Sequence, residues 1–125
     1  MFRHLLLLYY ANLFFIFLED IALSYFLEQS ETIGDIYVAE APFFAHTIPY
    51  LGASPDGIYA IYEGDKIKEQ GVIEVKCPAK QRRPYTKFKH YYVAQTYAEM
   101  SCSGLRSTIA ISWGPRNMRV WRWHW

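Results

Sequence analysis

Apolar residues run nearly unbroken near the N-terminus of this chain and then fall into shorter segments punctuated by glycine and proline. Leu5 to Leu18 (LLLLYYANLFFIFL) is almost wholly apolar, and residues 5–29 contain no glycine or proline. A run of that length without a breaker reads as helix, ending near Gln29-Ser30. Asp35 to Ala45 (DIYVAEAPFFA) reads as a strand. The stretch IPYLGASPDGIYAIYEGDK reads as two short strands around Ser54-Pro55-Asp56-Gly57, because proline and glycine flanking an aspartate are turn chemistry. Gly64-Asp65 closes a hairpin to GVIEVKC, Gly71 to Cys77. Pro78 ends that strand because it has no N–H to donate. A helix follows from about Lys87 to Ser103, with Gly104 as its cap. STIAISWG and MRVWRWHW are two final strands joined at Gly114-Pro115. Helix, strands, helix, strands is the order of an α/β or α+β domain with a central mixed sheet and flanking helices.

Composition narrows this only a little. A chain of 125 residues has room for one domain with a modest core. With 52% apolar residues it is not a disordered segment. The net charge of +1 carries no information about nucleic acid, but local charge does. Lys80, Arg82, Arg83, Lys87 and Lys89 form a basic run, and the next acid downstream is Glu99. Such a run is either a solvated face or a phosphate contact. Cys77 and Cys102 fit neither a zinc motif nor a disulfide framework, and read as reduced thiols of an intracellular protein.

The apolar N-terminal run admits three readings. It is shorter than the ~20 residues of a spanning helix. Arg3 and His4 before it, and Ala22-Leu23-Ser24 after it, resemble a signal peptide and its cleavage site, although Glu19 and Asp20 sit badly there. The alternatives are a buried helix and a truncated or misassigned start. The division adopted is an apolar helix over 1–18 and a domain over 19–125, which could itself be a truncated copy. The expected location is intracellular, cytoplasmic or nuclear, without membrane association.

The chemistry concentrates in Glu74-Val75-Lys76. Strand side chains alternate, so Glu74 and Lys76 share one face and Ile73 and Val75 the other. An acid and a base on a strand apolar enough to be buried cost free energy unless something compensates, and a metal ion on the carboxylate would. If the two hairpin strands pair, Asp56 comes to Glu74. Converging carboxylates repel unless they share a cation, and oxygen ligands suit Mg²⁺ or Mn²⁺ rather than Zn²⁺. Such an ion can activate water and polarise a phosphoryl oxygen, with Lys76 orienting the water or neutralising charge on the phosphate. Taken alone, the same residues are also a turn aspartate and an ordinary ion pair.

The flanking motifs extend the reading. GASPDG, then GVIEVKCP, then YYVAQTYAEM, in that order and spacing, resemble the phage-lambda-type alkaline exonucleases, also called YqaJ-type viral recombinases, within the PD-(D/E)XK nucleases. The resemblance covers residues 50–104 well and 19–49 loosely. It implies that Asp56 and Glu74 bind metal with the Val75 carbonyl, that Lys76 is catalytic, and that Gln95 lines the site. Many members carry a second glutamine where this chain has Tyr97. LEDIALSYF offers Glu19 as a further acid on the first core helix, with Ala22 and Phe26 after it. The arginine and serine or threonine elements with which members hold a 5′-phosphate have no visible counterpart. The implied protein is a Mg²⁺- or Mn²⁺-dependent exonuclease on duplex DNA ends, in recombination, repair or viral genome processing. Lys80, Arg82, Arg83 and Lys87 are its candidate DNA contacts, and a single-strand annealing protein and a homo-oligomer its further partners. The competing readings are a truncated, inactive DNA-binding copy and a membrane-anchored or secreted interaction domain resting on residues 5–18.

Other features carry less. His4, His46, His90 and His124 are scattered and form no triad pattern with serine or cysteine. Gly52 and Gly57 do not make a phosphate loop. Trp121, Trp123 and Trp125 alternate with Arg122 and His124, which reads as a packed strand face before a base-stacking platform.

Overall fold

The computed structural model describes residues 19–29, 33–78, 83–114 and 117–125. Its first helix, α1, is described over 19–28. The apolar run Leu5–Leu18 lies outside the described residues. Ala22 and Phe26, four apart and so on one helix face, are buried against the sheet, and Leu23 packs beside them. The chain leaves the helix at Gln29, whose N–H donates to the carbonyls of Tyr25 and Phe26.

The remaining elements are β1 (Asp35–Ala39), β2 (Phe44–Ala45), β3 (Gly52–Ala53), β4 (Gly57–Glu63), β5 (Lys66–Lys76), α2 (His90–Ser103), β6 (Ser107–Gly114) and β7 (Asn117–His124). Five strands form one sheet in the order β1-β4-β5-β6-β7, and β2 and β3 form a separate small ribbon. The large sheet is mixed. β5 and β6 run parallel, Glu74 beside Ala110, and the other neighbours run antiparallel. A parallel pair needs a crossover, and α2 lies in it. The central strands are covered on both faces, so Gly71–Val75 and Ser107–Ser112 are continuously buried, whereas β4 alternates. On the α1 side Ala22, Phe26, Tyr59, Ile61, Ile73, Val75, Ile109 and Ile111 make the core. By alternation Glu74 points to the opposite side, toward α2.

Two glycines set local geometry. Gly104 takes φ 75° after α2, and its N–H closes on the Met100 carbonyl at 2.9 Å. At Gly71 a Cβ would stand 2.3 Å from the Ser107 carbonyl oxygen and 2.6 Å from the Tyr59 ring, so only glycine lets β5 and β6 meet there.

Three sequence expectations change. The strand read over Asp35–Ala45 breaks after Ala39. Pro42 cannot donate to a ladder, and Phe44-Ala45 pair instead with Ala53 and Gly52. β5 begins at Lys66 rather than Gly71, because backbone pairing with β4 continues past a bulge through the mostly exposed and polar KIKEQ. Helix α2 begins at His90 rather than Lys87. Lys89 is still extended, and Phe88 is buried against Trp121 and Trp123 at ring separations of 5.3 and 5.7 Å. That contact makes the Trp121–Trp123 face a packed one, while Trp125 is exposed against Tyr97. No helix among the described residues is long and apolar enough to cross a membrane.

Candidate functional site

The pairing of β4 with β5 delivers Asp56 to the end of β5. Gly57 stands opposite Ile73, and the Asp56 N–H donates to the Ile73 carbonyl at 3.1 Å. The Asp56 side chain then turns along β5, and its Oδ2 accepts the Val75 N–H at 2.7 Å. Asp56 thus reaches the strand between Glu74 and Lys76.

Glu74 is only 2% exposed. Its Oε1 accepts from Lys76 Nζ at 2.6 Å and from Gln95 Nε2 at 2.9 Å. Gln95 Oε1 in turn accepts from Lys76 Nζ at 3.3 Å. Carboxylate, ammonium and amide therefore close a triangle between β5 and α2. Lys76 also lies over the Tyr92 ring, 4.4 Å from its centroid.

A further acid completes the α2 side. Glu99, one turn beyond Gln95, is buried, and its Oε1 accepts from Gln95 Nε2 at 3.1 Å. Glu74 Oε2 and Glu99 Oε2 are both buried without a hydrogen-bond partner. The crowding shows in the protonation equilibria. Burial, and then the charge of Glu74, push the Glu99 carboxyl up to about 9, so near neutrality it is a neutral acid beside Glu74. Burial and Glu74 likewise push Asp56 up to about 7, against the pull of the Val75 N–H. Glu19 is raised by its burial and by Glu74, with Lys76 opposing. Cys77 is pushed up to about 11, by burial and then by Glu19 and Asp56, which leaves it a thiol.

Glu19 stands where two clefts meet. One, of about 540 Å³, is lined by Glu19, Asp20, Leu23, Pro55 and Asp56 among others. The other, of about 230 Å³, is lined by Glu19, Val75, Lys76, Cys77, Tyr85 and Tyr92. Among the described residues no three Asp, Glu, His or Cys side chains form a ready cage for a metal ion. The structure thus brings Asp56, Glu74, Val75, Lys76 and Gln95 together, with Glu19 bordering them. Of the basic run, Arg83 and Lys87 are exposed on the segment before α2, and Lys80 and Arg82 lie outside the described residues.

Glu99 and Tyr92 escaped the sequence reading. Their signal was present in the helix period, since Tyr92, Gln95 and Glu99 fall on one face of α2 at spacings of three and four. Tyr97, two residues after Gln95, falls on another face against Trp125, 5.7 Å between ring centroids.

A mixed five-stranded sheet between helices, with an acid from a turn meeting Glu-x-Lys on the neighbouring strand, is the PD-(D/E)XK nuclease fold. Residues 17–106 match the model of the YqaJ-like viral recombinase domain, and the chain belongs to that family. Among solved structures it is similar to the alkaline exonuclease LHK-Exo from Laribacter hongkongensis, with a TM-score of 0.63 and 27% identity over 86% of this chain. It is also similar to LHK-Exo in complex with dAMP, with a TM-score of 0.60 and the same identity. The chain spans 54% of the length of those exonuclease chains. Comparison with curated proteins gives no match.

Proposed function

We propose that this chain carries the hydrolytic core of a metal-dependent exonuclease that cuts phosphodiester bonds at duplex DNA ends, in recombination, repair or viral genome processing. The observation that carries the reading is the convergence of Asp56, Glu74, Lys76 and Gln95 on the end of β5. Membership of the YqaJ-like family and likeness to an alkaline exonuclease support the same chemistry.

The residues present fit a hard divalent cation. Glu74 Oε2 is buried without a partner, and the Asp56 carboxyl is held up by burial and then by the charge of Glu74, so a cation between them would offset the cost of both. Mg²⁺ takes one or two carboxylates and keeps several waters. Asp56, Glu74 and the Val75 carbonyl would hold it, and Glu19 borders the same space. When bound, Mg²⁺ or Mn²⁺ supplies Lewis acidity toward the phosphoryl oxygens and lowers the pKa of a nucleophilic water.

The chain's own groups do the rest. Lys76 offers positive charge where the phosphoryl oxygens gain negative charge in the transition state, and it can orient the attacking water. Gln95 holds Lys76 and Glu74 in one geometry through its two amide atoms. Arg83 and Lys87, with Lys80 and Arg82 of the same run, are the proposed backbone contacts. A homo-oligomer and a single-strand annealing protein are the partners this role calls for, and an intracellular site of action follows from its substrate.

The test is incubation of the purified protein with linear and covalently closed circular duplex DNA, with and without Mg²⁺. Exonuclease action consumes linear DNA only when metal is present and leaves the circle intact. A cut circle would make the protein an endonuclease. No cleavage with any divalent metal would leave an inactive DNA-binding copy.

A further inference from the structure

An ammonium is a compact charge with three N–H donors on a flexible four-carbon stem, so its position depends on what surrounds it. Lys76 Nζ donates to Glu74 Oε1 at 2.6 Å and to Gln95 Oε1 at 3.3 Å. Its remaining side meets the Tyr92 ring, 4.4 Å from the centroid. The Lys76 side chain is 20% exposed, so this seat takes most of its surface. Of the three contacts, the one to Glu74 is the least constant in a working site, because that carboxylate must also serve the metal. Gln95 and the ring would then keep the lysine in place.

The ring is itself fixed. Tyr92 lies three residues before Gln95, so one helix face carries both partners of Lys76. Its ring packs against Tyr91, Phe88 and Tyr85, at centroid separations of 4.4, 5.6 and 5.9 Å. Tyr85 is pinned by its backbone N–H, which donates to Ser112 Oγ at 2.8 Å. The Tyr92 hydroxyl is engaged with those of Tyr85 and Tyr91. Lys76 is thus served by the negative face of the ring, and the hydroxyl belongs to a separate tyrosine chain.

We propose that Tyr92 is a positioning residue for Lys76, and that it acts through the face of its ring and not through its hydroxyl. The inference rests on the nuclease reading for its consequence in rate, but the seat itself can be observed without cleavage.

The experiment compares Tyr92→Phe, which keeps the ring, with Tyr92→Leu, which removes it. Protein with isotope-labelled lysine side chains gives an NMR signal for Lys76, assigned by its absence in Lys76→Ala. A methylene beside an aromatic face is shifted by the ring current. That shift persists in Tyr92→Phe and vanishes in Tyr92→Leu. In cleavage, Tyr92→Phe matches the parent, whereas Tyr92→Leu loses ~10-fold in kcat with KM for DNA unchanged. Tyr92→Leu added to Lys76→Ala costs nothing more. A Tyr92→Phe variant as slow as Tyr92→Leu would assign the role to the hydroxyl and overturn the proposal. So would an equal loss in the Lys76→Ala background, or a parent protein whose Lys76 signal shows no ring-current shift. If the parent does not cleave DNA at all, the nuclease reading fails, and the NMR signal alone decides the seat. Tyr92→Met repeats the comparison should the leucine variant melt out.

Discussion

The Val75 N–H donates to Asp56 Oδ2 at 2.7 Å, and this contact sets the distance between the site's two principal acids. Asp56 cannot swing away from Glu74 without leaving a backbone donor of β5 unpaired. The repulsion between the carboxyls is therefore built into the fold and is relieved only by a proton or a cation.

The first expected outcome concerns that relief. A ligand that binds only the native state raises Tm. Mg²⁺ should raise Tm of the parent, and Asp56→Asn should lose most of that rise. The asparagine oxygen can still accept the Val75 N–H, so metal-free Asp56→Asn should melt no lower than the parent. Thermal melts with and without Mg²⁺ check this, and an unchanged metal response would remove Asp56 from the ligand set.

The second concerns pH. The folded-state values of Asp56, about 7, and Glu99, about 9, both lie above their ordinary 3.8 and 4.5. Between those limits the folded state keeps protons that the unfolded chain has released. Metal-free stability is therefore greatest below about pH 4 from these groups, and falls as pH rises through about 7 and then about 9. Glu99→Gln lacks the Glu99 part of that decline, so between about pH 4.5 and 9 its metal-free stability should fall less steeply than the parent's. Urea unfolding across the range measures the slope, and a parent that gains stability toward alkaline pH without metal would contradict it.

Much of the fold, and the convergence of residues that makes the candidate site, was legible in the sequence, for identifiable reasons. The turn at Pro55-Asp56-Gly57, the strand carrying Glu74 and Lys76, and the Gly104 cap are each dictated by a few local residues. The β5–β6 parallel pairing is what makes the sheet mixed, and the intervening helix already announced a crossover. Three boundaries were not legible because they depend on partners distant in sequence. Lys66–Gln70 is mostly polar and exposed, and becomes strand only by pairing with β4. The stretch 40–43 leaves the sheet so that Phe44-Ala45 can meet β3. Phe88 looks like the start of a helix until Trp121 and Trp123 claim it. Glu99 was missed because an acid on a helix reads as exposed, and only the approach of α2 to β5 buries it.

The third expected outcome tests the close approach of β5 and β6. In Gly71→Ala the new methyl would stand 2.3 Å from the Ser107 carbonyl oxygen, which is backbone and cannot step aside. The cost should be that of overpacking, ~1–3 kcal/mol by urea unfolding. Gly104→Ala is a useful contrast, since a Cβ there meets nothing and only the positive φ is strained.

The fourth concerns DNA. Arg83 and Lys87 are exposed on the segment before α2. Charge reversal at both should weaken duplex binding and flatten its salt dependence, by about one unit of slope for each phosphate no longer neutralised. Binding titrations over a range of salt give the slope. An unchanged slope would make this face merely solvated.

The most direct test of the account is the single-turnover rate of Lys76→Ala on linear duplex DNA, measured beside its metal and DNA affinities. Lys76 is cationic and so not a ligand for the metal; removing it should leave both affinities nearly intact or ease metal binding. Its contribution falls where phosphoryl charge builds, so the loss belongs in turnover. A drop of about 10²–10³ in rate, the usual cost of one such electrostatic contact, is the predicted result. A Lys76→Ala protein that cleaves as fast as the parent would contradict it.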